Sequence, residues 1–267
     1  MNTTDAFTNG KAFIPFVTCG DPDIETTEKI ILAMQRAGAD MIEIGVPFSD
    51  PTAEGPVIQE ADMRALESGT TPQAALDMVK RLRPQVNVPL IFMTYANVVF
   101  SRGIEQFVTR MADAGVDGLI LPDVPFEEKE EFAGPCRAHG IDFISMIAPT
   151  SHERIRTIAS QAEGFIYCIS SLGVTGVRDT FSTDIGTMIE TVRSASDLPC
   201  AVGFGISTPQ QASDMAHISD GAIVGSAIVK IVAQYGKDSV DQVSSYVARM
   251  KAAVAACDTP RARLPRS

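Results

Sequence analysis

A glutamate, Glu43, interrupts the apolar run Met41-Ile42-Glu43-Ile44-Gly45. The run reads as a buried strand, where an acid is costly. An unpartnered polar group loses roughly 2–7 kcal/mol on leaving water, and a bare charge loses more. Period-two alternation sets Glu43 on the same face as Met41 and Gly45, and Gly45 leaves open space toward the strand's carboxyl end. A buried acid beside a vacancy is placed for chemistry; the alternative is a core acid tied to a backbone amide or an arginine. A second carboxylate, Glu54, follows in the loop from Gly45 to Pro56, which Pro47, Pro51 and Pro56 stiffen. It is either a second chemical group or an acid that complements the dipole of the next helix.

Glycine turns supply the other candidate chemistry. Gly203-Phe204-Gly205-Ile206-Ser207 ends one apolar run, and Gly225-Ser226 ends the next, directly before a helical pattern. Bare amides at a helix N-terminus bind phosphate well, so the two turns together are a candidate phosphate site. Ser170–Arg178 carries two glycines and several hydroxyls and reads as a mobile lid or an ordinary connection. His139, His152 and His217 fall on helical stretches, apart from the ends of the apolar runs, and form no metal-ligating cluster with carboxylates. Cys19, Cys136, Cys168, Cys200 and Cys257 are scattered, with no Cys-x-x-Cys pair. A reducing cytoplasm suits them.

The elements that must position these groups are short apolar runs separated by longer amphipathic ones. Strands are expected at Phe13–Thr18, Met41–Gly45, Leu90–Thr94, Gly118–Leu121, Phe143–Ile147, Phe165–Ile169, Cys200–Gly203 and Ala222–Val224. Helices are expected between them, with Thr71-Pro72 and Thr208-Pro209 as N-cap signals. Near-identical Ala37-Gly38-Ala39-Asp40 and Ala114-Gly115-Val116-Asp117 turns suggest repeated units. Continuously apolar strands 20–30 residues apart imply a parallel sheet covered by helices. Eight such units fit one closed (β/α)8 TIM barrel over 1–267, with extra helices and with 1–10 and 258–267 as frayed ends. An open doubly wound sheet is less apt, because the turn Cys19-Gly20-Asp21-Pro22 after the first strand is no nucleotide-binding fingerprint. In a barrel the strands' carboxyl ends hold the chemistry.

The 267 residues are 45% hydrophobic and 21% charged, an ordinary globular balance. There is no 18-residue apolar run, so no membrane span is expected. A formal charge of −11 without a basic stripe argues against nucleic acid as a partner.

Taken together, these segments resemble the tryptophan synthase alpha chain family. The resemblance spans nearly the whole chain. It rests on Phe13–Thr18 with Gly20-Asp21-Pro22, on Glu43 through Pro51, on Gly55–Gln59, and on Tyr95-Ala96-Asn97. Asp123-Val124-Pro125, Gly173–Gly176, Gly203–Ser207 and Gly225-Ser226 complete it. It implies a metal-independent lyase of tryptophan biosynthesis that cleaves indole-3-glycerol phosphate to indole and glyceraldehyde 3-phosphate. It also implies no cofactor in this chain, and an α2β2 complex with a beta chain that carries pyridoxal phosphate. The family's acids would fall on Glu43 and Glu54, and its phosphate ligands on Gly176, Gly205, Gly225 and Ser226. The substrate pocket would include Phe16, Tyr95, Ile147, Tyr167, Thr175, Phe204 and Ile223. Two departures stand out. Glu54 replaces the family's usual aspartate, and the short segment before Lys11 implies that an N-terminal helix is truncated or missing. A stand-alone lyase, a weakly active barrel that activates its partner and a sugar-phosphate epimerase are the rival readings.

Overall fold

Both faces of each apolar strand need cover, and the chain provides it by closing the sheet on itself and ringing it with helices. The computed structural model describes residues 1–169, 181–203 and 205–257. Eight strands, β1 (Ala12–Thr18), β2 (Ile42–Gly45), β3 (Leu90–Met93), β4 (Gly118–Ile120), β5 (Asp142–Ile147), β6 (Glu163–Ile169), β7 (Cys200–Gly203) and β8 (Gly221–Val224), form a closed barrel in sequence order. Every pairing is parallel, including the closing pair of β1 and β8. All eight strands expected from the apolar runs are therefore present, each within two residues of its expected ends.

The helices α1 (Ile24–Arg36), α2 (Pro56–Glu67), α3 (Pro72–Leu82), α4 (Ala96–Phe100), α5 (Ile104–Ala114), α6 (Glu130–Ala138), α7 (His152–Ser160), α8 (Phe181–Arg193), α9 (Pro209–Ile218), α10 (Ser226–Tyr235) and α11 (Val240–Ala255) accompany the strands. Thr71 and Thr208 cap α3 and α9 by accepting from the amides of Ala74 and Gln211, with proline at the first helical position. The two matching turns each carry a glycine with positive φ, 98° at Gly38 and 87° at Gly115. The five-residue helix α4 has too few residues to show a periodic pattern, and sequence periodicity misses it.

Alternation divides the strand side chains into two cores. Ala12, Ile14, Phe16, Met41, Ile91, Ile120, Ile144, Phe165, Tyr167, Ala201 and Ile223 pack inside the barrel. Their neighbours Phe13, Val17, Ile42, Ile44, Phe92 and Leu119 point outward against the helical layer, and Ile147, Ile166, Cys168, Cys200 and Val202 do so beside α7 and α8.

The first ten residues do not fray. Thr3–Phe7 forms a 3-10 turn, capped by Asn2. It is held to β5 by Thr3, whose hydroxyl donates to Asp142 Oδ2 at 2.5 Å and whose amide donates to the same oxygen at 3.1 Å. Ala6 joins the inner core, and the Phe7 ring lies 5.6 Å from that of Phe165. A short 3-10 turn thus stands where the sequence reads as a truncated or missing N-terminal helix. Thr3 and Ala6 are buried and Phe7 is half-buried, so the turn covers this part of the inner core. Phe7→Ala should lower the unfolding free energy by about 1–2 kcal/mol, seen as a lower urea midpoint at constant slope. An unchanged midpoint would show that this turn seals nothing.

Candidate active site

The second strand brings its acid inside. Glu43 pairs in register with Phe16 of β1 and Ile91 of β3, and it is 1% exposed. Among the described residues its Oε2 has no hydrogen-bond partner, so the buried-amide and arginine alternatives for this acid fall away. Burial pushes its carboxyl up to about 8, because the low-dielectric interior disfavours the charged form.

Open space does lie beside Glu43, but not over Gly45. The Phe16 ring rests against that glycine: a Cβ there would sit 2.6 Å from Phe16 Cζ. The ring also touches the position of a Cβ on Gly225, at 3.4 Å. Phe16 therefore spans from the acid's strand to the turn after β8. On the opposite wall the Tyr167 hydroxyl leans over Gly203, 2.5 Å from where a Cβ would be. Both glycines are needed for close approach of an aromatic side chain. The space itself is a cavity of about 890 Å³ at the strands' carboxyl ends, lined by Phe16, Glu43, Glu54, Tyr167, Gly205, Ile223, Gly225 and Ser226 among others.

Glu54 reaches this cavity because it does not cap α2. The N-cap is Gly55, with no side-chain cap bond. The loop is fixed from outside: the Ala53 amide donates to Tyr95 Oη at 3.0 Å, and Tyr95 stacks on Phe48 with ring centroids 5.2 Å apart. Tyr95 acts on the loop that carries Glu54 and is not a wall of the large cavity. Burial, then the charges of Asp62 and Glu43, raise the Glu54 carboxyl to about 8. Asp62 on α2 is itself buried and raised to about 7. Like charges in one desolvated space resist joint ionisation, and the charge of Glu43 adds to the rise at Glu54.

The phosphate-type turns converge on the same cavity. Gly225 is the N-cap of α10 and offers no side-chain bond; Ile228 and Val229 donate back to its carbonyl, so the amides of Ser226 and Ala227 and the positive end of the helix are left for the space. Gly205 from the turn after β7 joins it.

Ile147 is misplaced by the sequence reading. It belongs to the outer cluster with Ile155, Ile158 and Ile189. Strict alternation on β5 turns Ile144 and Met146 inward instead, and both line a second cavity of about 270 Å³ that shares Ala53, Met93, Ala148 and Ile169 with the first. Thr175, Gly176 and Phe204 lie outside the described residues. Sequence reasoning missed Ile58, Ser207 and Lys230, which also line the large cavity. Helical spacing from Ser226 could have found Lys230, four residues on. Among the described residues no group of three or more His, Cys, Asp or Glu side chains is arranged to hold a metal ion.

Comparison with known proteins gives one consistent answer. The family model for the tryptophan synthase alpha chain matches residues 3–256. The chain is 44% identical to the tryptophan synthase alpha chain of Lacticaseibacillus casei, over 94% of each chain. It is 48% identical to that of Citrifermentans bemidjiense, over 91% of this chain and 92% of the relative. Among solved structures, tryptophan synthase subunit alpha from Legionella pneumophila superposes with a TM-score of 0.85 at 33% identity, covering 95% of this chain and 98% of the other. A chain of the tryptophan synthase complex from Pyrococcus furiosus superposes at 0.83 with 31% identity, over 91% and 99%.

The raised acid makes a stability prediction. A carboxyl that titrates near 4.5 when exposed and near 8 when folded holds its proton more tightly in the native state. The resulting stability is complete below pH 4.5 and is lost as pH rises through 8. Glu43→Gln keeps the shape without the titration. It should be roughly 1–4 kcal/mol more stable than the parent at pH 8.5 and close to it at pH 4.5, by chemical denaturation at the two pH values. Equal differences at both would show that Glu43 is not a strained acid.

Proposed function

The chain belongs to the tryptophan synthase alpha chain family, and from that premise we propose that Glu43 and Glu54 divide the acid–base work of a metal-independent retro-aldol cleavage. As a member, it is a lyase of tryptophan biosynthesis, the alpha subunit that acts on indole-3-glycerol phosphate. The observation that carries the proposed division of labour is the buried Glu43 carboxyl, unpartnered and raised to about 8, in one cavity with Glu54 and the turn ahead of α10.

The bond to be broken joins carbon 3 of the indole to the carbinol carbon of the side chain. Protonation at carbon 3 interrupts the aromatic ring and puts positive charge on the ring nitrogen. Removal of the carbinol hydroxyl proton then lets that oxygen form a carbonyl. The breaking carbon–carbon pair returns to the ring, giving indole and the aldehyde. Glu43, protonated at neutral pH, is suited to give its proton to carbon 3. It then takes the hydroxyl proton and returns to its starting state. Glu54, held as the ionised member of the two acids, accepts the ring N–H and stabilises the positive charge that grows on the nitrogen. Each role draws on the desolvated cavity, where charge–charge interactions are strong. General acid–base help of this kind contributes about 10²–10⁴-fold.

Phe16, Tyr167 and Ile223 supply an apolar slot for a flat aromatic ring, which favours an indole over a bare sugar phosphate. Gly205, Gly225 and Ser226 hold the phosphate through main-chain amides and the Ser226 hydroxyl. The beta chain would join this subunit in an α2β2 complex, with pyridoxal phosphate bound in the beta chain and none in this one. The cytoplasm suits the five buried thiols.

Glu43→Gln should bind a non-cleavable indole-alkyl phosphate nearly as well as the parent while losing at least about 10²-fold in kcat. Calorimetry and an indole-release assay of the purified chain, with and without a beta chain, measure both; retained turnover removes Glu43 from the mechanism. Glu54→Asp should lower the cleavage rate about 10–100-fold, because the loop is pinned at Ala53 and a shorter side chain draws the acid back from the ring nitrogen. A faster Glu54→Asp enzyme would mean that the longer acid is a compromise.

A further inference from the structure

The large cavity contains one cation among the described residues, and the proposed reaction does not use it. Lys230 lines the cavity together with Gly205, Gly225 and Ser226. It lies four residues after Ser226 on α10, so the two share a helix face. Side chains on a helix tilt toward its N-terminus, and this carries the Lys230 stem back over the first turn of α10. Its neighbour Val229 is buried in the barrel core, which fixes the rotation of the helix and leaves Lys230 at the exposed rim.

The other lysines with defined contacts are engaged elsewhere. Lys29, Lys237 and Lys251 pair with Glu25, Asp23 and Asp40, while Lys11 and Lys129 donate to the carbonyls of Ser219 and Gln161. Among the described residues no carboxylate lies within ion-pair distance of Lys230. Burial raises both cavity acids, the charges of Asp62 and Glu43 add to the rise at Glu54, and no cation offsets either. The cavity thus holds two acids and, among the described residues, a single ammonium, which lines it together with the N-terminus of α10.

We propose that Lys230 is a ligand-binding residue for the phosphate end of the substrate, adding a full positive charge to the main-chain amides of the α10 turn and setting the preference for a phosphate ester over the free alcohol. This rests on the cleavage reading above. A chain of net charge −11 repels a dianion at long range, and a cation at the cavity rim reverses that field locally. Charge-assisted hydrogen bonds to phosphate are shorter and stronger than neutral ones.

The test compares 3-(indol-3-yl)propyl phosphate with the corresponding unphosphorylated alcohol, by calorimetry on the full chain at several salt concentrations. Lys230→Gln should bind the phosphate ester about tenfold more weakly and with a shallower salt dependence, leaving the alcohol's affinity unchanged. In turnover the loss should fall on KM. Lys230→Arg should restore most of the affinity. Lys80→Gln, which removes the same charge from the exposed face of α3, should match the parent. Lys230→Gln with parental affinity and salt dependence overturns the assignment while leaving the cleavage reading intact. So does an equal loss for ester and alcohol, which would mark Lys230 as structural. A parent chain that does not prefer the ester over the alcohol removes the phosphate cradle itself, and the cleavage reading fails with it.

Discussion

Water is kept away from one carboxyl group, and the architecture of the site follows from that. Glu43 sits on a four-residue strand whose neighbours on both sides are continuous β-structure. Its carboxyl can face only the barrel interior. There the protein offers no cation and, at Oε2, no donor among the described residues. Keeping the proton is the cheapest state available to such a group. The same desolvation that would count as a defect in an ordinary core leaves the group holding its proton near neutral pH.

Much of the surrounding structure serves to hold that condition. Phe16 and Tyr167 exclude solvent from opposite walls, and each is admitted by a glycine that lacks the atom it would strike. The turn at Thr3–Phe7 closes the far end of the barrel through Phe7 and Phe165. Glu54 arrives by another route. It is carried on a loop clamped at Ala53 by Tyr95 and is raised by its acid neighbours as well as by burial. One acid is fixed by a strand and the other by a loop, so the barrel sets one position rigidly and the loop adjusts the second. Glu54 is accommodated in that loop, not in the strand.

The cavity combines two acids, Glu43 and Glu54, with the apolar Phe16, Tyr167 and Ile223 and with Lys230 near the amino end of α10. Under the proposed reading these groups match the ring and the phosphate of one substrate. Matching of this kind acts on binding and orientation before any bond changes, and orientation is a large part of catalysis when two partners must be aligned.

The eight strands, their parallel order and the inward face of Glu43 were legible in the sequence. Local rules decide them: apolar runs of strand length, threonine-proline helix starts and two-residue alternation. Glu54 and the glycine turns after β7 and β8 were legible for the same reason, since a barrel sends the carboxyl end of every strand to one face. Ile147 was assigned to the slot by resemblance, although its own alternation with Ile144 points it outward. The ring over Gly45, the clamp from Tyr95 to Ala53, the turn that seals the floor and the position of Lys230 could not be read in advance. Each joins residues far apart in the chain or depends on how a helix is rotated in its layer, and local sequence sets neither. Sequence alone thus determined which groups could do chemistry and on which side of the sheet they stand. Only closure of the barrel decided which of them share one water-poor space, because desolvation belongs to the packed whole.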